Sequence, residues 1–290
     1  MEILRPDTLD EALQMKAATP HARPIAGGTD LMVELNFDRT RPDAIIDLAR
    51  VPELREHGRS NGTLRVGAGV SYTRLIAELG DQLPGLAIAS RTVGSPQIRN
   101  RGTVGGNLGT SSPAGDGLPP LFASDAVVEI RSAPGGTRRV PVAEFVTGPK
   151  RNALRDEELI TAFEMPVADG PQQFAKIGTR NAMVIAVCSL GLAISLERRS
   201  VGACIGSAGP TPIRAREAER FIERVLDEEG LWDAPAPLPQ TAVARFGELV
   251  EEAARPIDDV RGTAAYRHHA LGVLGRRTLT WAWKEAIRCA

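Results

Sequence analysis

The chain has 290 residues, 42% of them apolar and 24% charged, with a net charge of −1. This length and composition suit one large or two medium globular domains with an ample core, and so neutral a balance gives nucleic acid or a membrane surface no electrostatic grip. No apolar run reaches the ~18 residues of a membrane span, Met1 to Asp7 lacks the basic-then-apolar pattern of a signal peptide, and three dispersed cysteines suit a reducing cytoplasm.

In chain order, Thr8 and Glu11 form a T-x-x-E capping box, and Leu9, Ala12 and Leu13 supply an apolar helical face to about residue 18. Pro24-Ile25-Ala26 is a short apolar entry to Gly27-Gly28. Thr29 stands where an N-cap would, before a helix carrying Leu31, Met32 and Leu35. Ala44 to Leu48 reads as a buried strand, which closes a small α/β unit. A second unit opens with the strand Leu64 to Gly69 and a helix capped by Ser71, and a further apolar segment runs from Leu83 to Ala89.

The next stretch, Val93 to Asp116, holds six glycines and two prolines in 24 positions. That density predicts a long loop with no regular helix or strand, and an ordered loop of this length is usually functional. Beyond it, Leu118 to Ala123 reads as a short helix, Ala126 to Ile130 and Thr137 to Val140 as a hairpin, and Glu158 to Glu164 as a strand ended by Pro166. The Ala168-Asp169-Gly170-Pro171 turn marks the predicted domain boundary. Gln173 to Ile177, Val184 to Leu196 and Val201 to Ser207 follow as an antiparallel meander, then helices over 214–226, 241–254 and 264–287. The fold class is therefore α+β. It has a two-part domain over 1–170 (about 1–58 and 59–170) and a C-terminal domain over 171–290 that joins an antiparallel sheet to a helical bundle.

Two glycine turns dominate the chemistry. Gly27-Gly28 opens onto a helix start, and Gly102, Gly105, Gly106 and Gly109 let a second backbone approach a ligand with its N–H groups turned toward an anion. Neither turn is a Rossmann or P-loop fingerprint. Together they suit a diphosphate clamped between two loops. The histidines His21, His57, His268 and His269 form no nucleophile–base or metal constellation; the adjacent pair points two ways on its helix. Elaborate ligand loops without a reactive side chain point to a cofactor that does the chemistry.

Ala26-Gly27-Gly28-Thr29-Asp30-Leu31, Thr103-Val104-Gly105-Gly106-Asn107 and Ser112-Pro113-Ala114-Gly115-Asp116 resemble the paired FAD-binding motifs of the flavoprotein (medium) subunit of molybdenum hydroxylases. The resemblance continues through Gly206 to Ala215 and Asp258 to Arg267, so it spans nearly the whole chain. It implies FAD held by Pro24, Ile25, Ala26, Gly27, Gly28, Thr29, Asp30 and Leu31 on one side and Thr103, Val104, Gly105, Gly106 and Asn107 on the other. Thr29 and Thr103 would donate to phosphate, while Asn107 and Asp116 would accept from sugar or ribityl hydroxyls. Val93, Ile160 and Lys176 would line the flavin or its adenine end; the competing reading of Lys176 is a surface strand lysine.

The family also implies a relay. A molybdopterin cofactor on a large subunit and 2Fe–2S clusters on a small subunit would pass electrons to this FAD and on to NAD or another acceptor, in a cytoplasmic dimer of heterotrimers. The Ala-Gly-Gly-Thr-Asp turn and Gly94 to Gly102 look more like xanthine dehydrogenase chains than carbon monoxide dehydrogenase chains, which more often carry His-Ser after the first glycines. An aerobic carbon monoxide dehydrogenase medium subunit, another aldehyde or N-heterocycle dehydrogenase, a stand-alone nucleotide-binding module and a self-contained flavin oxidase are the alternatives.

Overall fold

A computed structural model describes residues 1–289. The first unit contains β1 (Glu2–Leu4), α1 (Leu9–Ala18), β2 (Arg23–Ile25), α2 (Leu31–Asn36) and β3 (Ala44–Asp47), with the strands in a parallel sheet of order β1-β3-β2. Thr8 Oγ1 caps α1 by accepting from the Glu11 N–H at 3.2 Å. Glu11 returns its carboxylate to the Asp7 N–H at 2.8 Å, one residue earlier than the usual capping box. Leu9, Ala12 and Leu13 of α1 bury against Ala44 and Ile46 of β3, as their spacing predicts.

The second unit is built on an antiparallel sheet of order β4-β5-β10-β6-β7. It comprises β4 (His57–Ser60), β5 (Thr63–Gly67), α3 (Tyr72–Glu78), α4 (Pro84–Arg91), α5 (Pro96–Arg101), α6 (Val104–Thr110), α7 (Leu118–Ala123), β6 (Val127–Ser132), β7 (Gly136–Pro141), α8 (Val142–Phe145), the small hairpin β8 (Val146–Gly148) and β9 (Arg151–Asn152), and β10 (Leu159–Pro166). Its core stacks Leu86, Leu121, Phe145 and Phe163, all nearly inaccessible. Burying each such side chain contributes about 1.5–3 kcal/mol.

The remaining chain forms the meander β11 (Gln172–Ile177), β12 (Cys188–Ser195), β13 (Ser200–Gly206) and β14 (Ile213–Arg214), followed by α9 (Arg216–Glu228), α10 (Gln240–Ala253) and α11 (Ala264–Cys289). Its neighbouring strands pair antiparallel throughout. Helices α9 and α11 cover one face of this sheet with α10 packed on both of them, and α7 and α4 of the second unit cover the other. At that contact a Cβ on Gly202 would lie 1.8 Å from the Ala123 carbonyl oxygen, so only glycine lets helix and sheet meet.

The stretch 93–116 departs from expectation. It forms two short helices, α5 and α6, instead of an irregular loop. Ser95 caps α5 with Pro96 at its first position, and Thr103 caps α6; these caps offset the poor helix propensity of the glycines. A Cβ on Gly105 would fall 2.4 Å from the Ala68 carbonyl oxygen, so the glycine that weakens α6 also lets it rest directly on the chain leaving β5.

Candidate functional site

The first glycine turn leaves the end of β2, where Ile25 pairs with Asp47. Gly28 has φ +75°, a conformation costly for any residue with a Cβ. The backbone N–H groups of Gly27, Gly28, Thr29 and Asp30 donate to no acceptor among the described residues. Helix α2 starts at Leu31, so Asp30, not Thr29, occupies the cap position, and its side chain makes no capping bond. The Gly28 carbonyl accepts from the Met32 N–H at 3.1 Å, but the Val33 N–H bonds to the Asp30 carbonyl and not to that of Thr29, so the helix begins one residue later than the sequence suggests.

The second turn is tied down more tightly. Thr103 Oγ1 accepts from the Gly106 N–H at 2.8 Å, so that amide is spent within the protein and the hydroxyl proton stays free to donate. Asn107 Oδ1 accepts from the Gly117 N–H at 3.1 Å, which removes that N–H from competition and occupies the oxygen expected to meet a sugar hydroxyl. Gly106 points away from the core: a Cβ there would meet only Thr103 Oγ1, at 3.2 Å. Val104 and Leu31 turn inward and are buried, so both serve the fold.

The two turns touch. A Cβ on Gly27 would overlap the Arg101 carbonyl oxygen at 2.0 Å and approach the Gly102 Cα at 3.0 Å. Beside this contact lies a cleft of about 320 Å³, lined by Ala26, Gly27, Ser71, Arg74, Arg101 and Thr103 among others, with no carboxylate in its wall. The Arg101 side chain is exposed, with no hydrogen-bond or ion-pair partner among the described residues. The cleft thus gathers the Gly27 amide, the Thr103 hydroxyl and the Arg101 guanidinium, a set of donors that suits an anion such as a diphosphate.

A second, larger cavity of about 700 Å³ has Arg91, Gly94, Arg99, Lys176, Arg180 and Val184 in its wall. Lys176 is half-buried and turned inward, not a surface strand lysine. Its Nζ lies 2.5 Å from Asp116 Oδ2, and both side chains are 10% exposed. Burial pushes the Asp116 carboxyl above its ordinary value, against the opposing pull of Lys176 and Thr92. Asp116 Oδ1 is buried and has no partner. Val93 packs half-buried on the second core, and its carbonyl accepts from Arg99 at 3.1 Å. Ile160 sits at a bulge of β10, with its Cδ1 3.7 Å from the point where a Gly109 Cβ would stand. Pro24 and Ile25 lie in β2 and deliver the first turn.

Sequence reasoning missed Tyr72. Its ring packs 3.2 Å from the Cβ position of Gly102, and burial, then Asp116, then Asp30 hold its phenol protonated. Only the folded chain brings Tyr72 between the two turns, so no local signal marks it. Among the described residues, no group of three histidine, cysteine or acidic side chains could hold a metal ion. Burial raises the thiols of both Cys188 and Cys204, that of Cys188 to about 12.

Fold and site suit a protein that binds an elongated anionic cofactor at two neighbouring glycine turns. The chain belongs to the FAD-binding subunits of the molybdenum hydroxylases: residues 1–168 match the FAD binding domain in molybdopterin dehydrogenase, and residues 173–282 match the CO dehydrogenase flavoprotein C-terminal domain. It is an oxidoreductase subunit. The putative xanthine dehydrogenase FAD-binding subunit of Escherichia coli K12 is 30% identical over 297 residues, covering 99% of this chain and 96% of that one. The nicotinate dehydrogenase FAD-subunit of Eubacterium barkeri is 35% identical over 239 residues, 76% of this chain and 79% of its own. In fold, the chain is similar to structures of quinoline 2-oxidoreductase from Pseudomonas putida 86 and of CO dehydrogenase from Oligotropha carboxidovorans. Each has TM-score 0.88 and 24% identity, with coverage of 99% and 98% for the first and 98% and 98% for the second.

Proposed function

We propose that this chain is the flavin relay of a xanthine dehydrogenase-like complex, a cytoplasmic dimer of heterotrimers with an iron–sulfur small subunit and a molybdopterin large subunit. The observation that carries the reading is the Gly27–Arg101 contact, which sets four free amides against the second glycine turn. When bound, FAD would supply the redox chemistry, taking up two electrons from a partner's 2Fe–2S clusters with protons from solvent and returning them as a hydride to NAD or as electrons to another acceptor.

The chain's own residues bind and orient. The Gly27–Asp30 amides and Arg101 hold the diphosphate. Thr103 donates a hydroxyl proton to it while its oxygen keeps α6 capped. Asp30 is exposed and contributes its amide, since a carboxylate beside a diphosphate is repelled at short range. Asp116 Oδ1 accepts from a ribityl hydroxyl, and Val93 and Ile160 supply apolar wall. We assign 1–170 to the flavin domain and 171–290 to the domain that closes the site through Lys176.

The test is anaerobic addition of xanthine to the isolated chain and to the chain co-expressed with its two partners. Flavin absorbance should bleach only in the complex. Bleaching in the isolated chain would replace the relay with a self-contained flavoenzyme. A purified chain without flavin that regains none on incubation with FAD would favour a different nucleotide ligand. The similarity to the nicotinate dehydrogenase subunit makes nicotinate the second substrate to try.

A further inference from the structure

Strand β13 ends at Gly206, and Ser207 then takes φ +60°, a left-handed conformation that favours glycine. Its hydroxyl is sealed from solvent with no partner among the described residues. Two such costs on one residue persist only where the surroundings fix its backbone. The Ser207 N–H donates to the Pro113 carbonyl oxygen at 3.0 Å, and the Ser207 carbonyl oxygen accepts from Arg267 Nη1 at 3.1 Å. Arg267, in the first turn of α11, is 4% exposed, and its Nη2 donates to Asp259 Oδ1 at 2.6 Å. Beside Ser207, a Cβ on Gly206 would stand 2.7 Å from Pro119 Cγ. Residues 206 and 207 therefore touch both ends of the segment from Pro113 to Pro119.

That segment leans on the second glycine turn. The Gly117 N–H donates to Asn107 Oδ1 at 3.1 Å, and a Cβ on Gly115 would lie 2.7 Å from Asn107 Nδ2. A continuous line of contacts thus runs from α11 through Ser207 and the 113–119 segment to Asn107 of α6. We infer that Arg267 is a positioning residue of the cofactor site: it fixes the Ser207 backbone, and through it holds the 113–119 segment and Asn107 in place at the second glycine turn. The inference rests on the reading that FAD lies at the glycine turns. Ser207 contributes its N–H and its carbonyl, since its hydroxyl bonds to nothing. Arg267 needs two arms, one on Ser207 and one on Asp259, and the rigid fork of a guanidinium spans both while its charge answers the Asp259 carboxylate.

The experiment uses the full chain, with and without FAD. Arg267→Met removes both arms. Arg267→Lys keeps the charge but serves one arm at a time, so it supplies a folded form if the first variant fails to fold. Ser207→Gly keeps both backbone bonds and suits the left-handed φ. Hydrogen exchange is read by mass spectrometry in the flavin-free chain. Over residues 112–118 and 205–209 it should speed up about 10-fold or more in Arg267→Met and by less in Arg267→Lys, while β6 and β10 of the second unit keep wild-type rates. Ser207→Gly should exchange as wild type throughout.

Titration with FAD should show about 10-fold weaker binding in Arg267→Met, with Arg267→Lys between it and wild type and Ser207→Gly within about threefold of wild type. Unaltered exchange over 112–118 in both Arg267 variants would overturn the inference. So would exchange raised equally in β6 and β10, which marks general loosening in place of positioning. FAD loss in Ser207→Gly as large as in Arg267→Met would move the role to the serine hydroxyl and overturn it too. Failure of the wild-type chain to bind FAD would overturn the flavin reading, and the exchange result would still decide whether Arg267 holds the segment.

Discussion

Gly27 lies in contact with the Arg101–Gly102 peptide: a Cβ on Gly27 would stand 2.0 Å from the Arg101 carbonyl oxygen and 2.5 Å from its carbon. Both obstacles are backbone, so neither can swing aside. Gly27→Ala should therefore separate the two glycine turns, at a cost of about 1–3 kcal/mol. Flavin content and the thermal midpoint of the purified variant should both fall. A variant with full flavin and an unchanged midpoint would show that the turns need not touch.

Gly105 and Gly106 are adjacent but do different work. Gly106→Val should keep the fold, since a Cβ there meets only Thr103 Oγ1 at 3.2 Å, but it sets a branched side chain on the ligand face of α6. FAD should be lost with little change in thermal midpoint. Gly105→Ala should do the reverse of a clean binding defect. Its Cβ would fall 2.4–2.6 Å from Ala68 atoms, so destabilisation should come first and flavin loss with it. The comparison needs only absorbance and melting curves of the two variants. Equal melting behaviour would sink the distinction.

Much of this architecture was legible in local pattern. The Thr8–Glu11 box, the Ser71 cap and the meander from Gln172 to Gly206 follow from spacing and alternation alone. The α5 and α6 helices were not legible, because their stability comes from caps at Ser95 and Thr103 and from packing on Ala68, which outweigh glycine's low propensity. The glycine motifs announced a ligand site, but no local signal announced that Gly27 meets Arg101. The competing reading of Lys176 as a surface lysine falls only once the meander places it against Asp116. Contacts distant in sequence exist only once the chain has folded.

Glu129 should make the chain acid-sensitive. Arg65 grips its carboxylate with two hydrogen bonds and holds it below the ordinary glutamate range; burial opposes this, and Thr161 adds a further bond at 2.7 Å. A carboxyl depressed in the folded state stabilises it fully above the unfolded value, and that stabilisation disappears as pH falls through the folded value. Because the Arg65 side chain is 36% exposed, the contribution is modest, about 1–2 kcal/mol. Urea unfolding at pH 7 and at pH 4 should show wild type losing more stability on acidification than Glu129→Gln. Parallel losses in the two proteins would assign the acid sensitivity elsewhere.

Trp281 and Trp283 lie two residues apart on α11 and therefore face different surroundings. Trp283 is 2% exposed, meets Trp232 edge-on with centroids 6.3 Å apart, and donates its indole N–H to the Ala236 carbonyl at 2.7 Å. It thereby fixes the 233–239 connector to the helix that covers the C-terminal sheet. Trp283→Ala should cost about 3–5 kcal/mol through the cavity it leaves, and Trp283→Phe about 0.5–1.5 kcal/mol through the unpaired carbonyl. Trp281 is 47% exposed, so Trp281→Ala should change the stability of the isolated chain by less than about 0.5 kcal/mol. Denaturant unfolding of the three variants checks the order. If Trp281→Ala proved as damaging as Trp283→Ala, the outer face of α11 would have to pack within this chain, and a partner subunit would have no tryptophan there to meet.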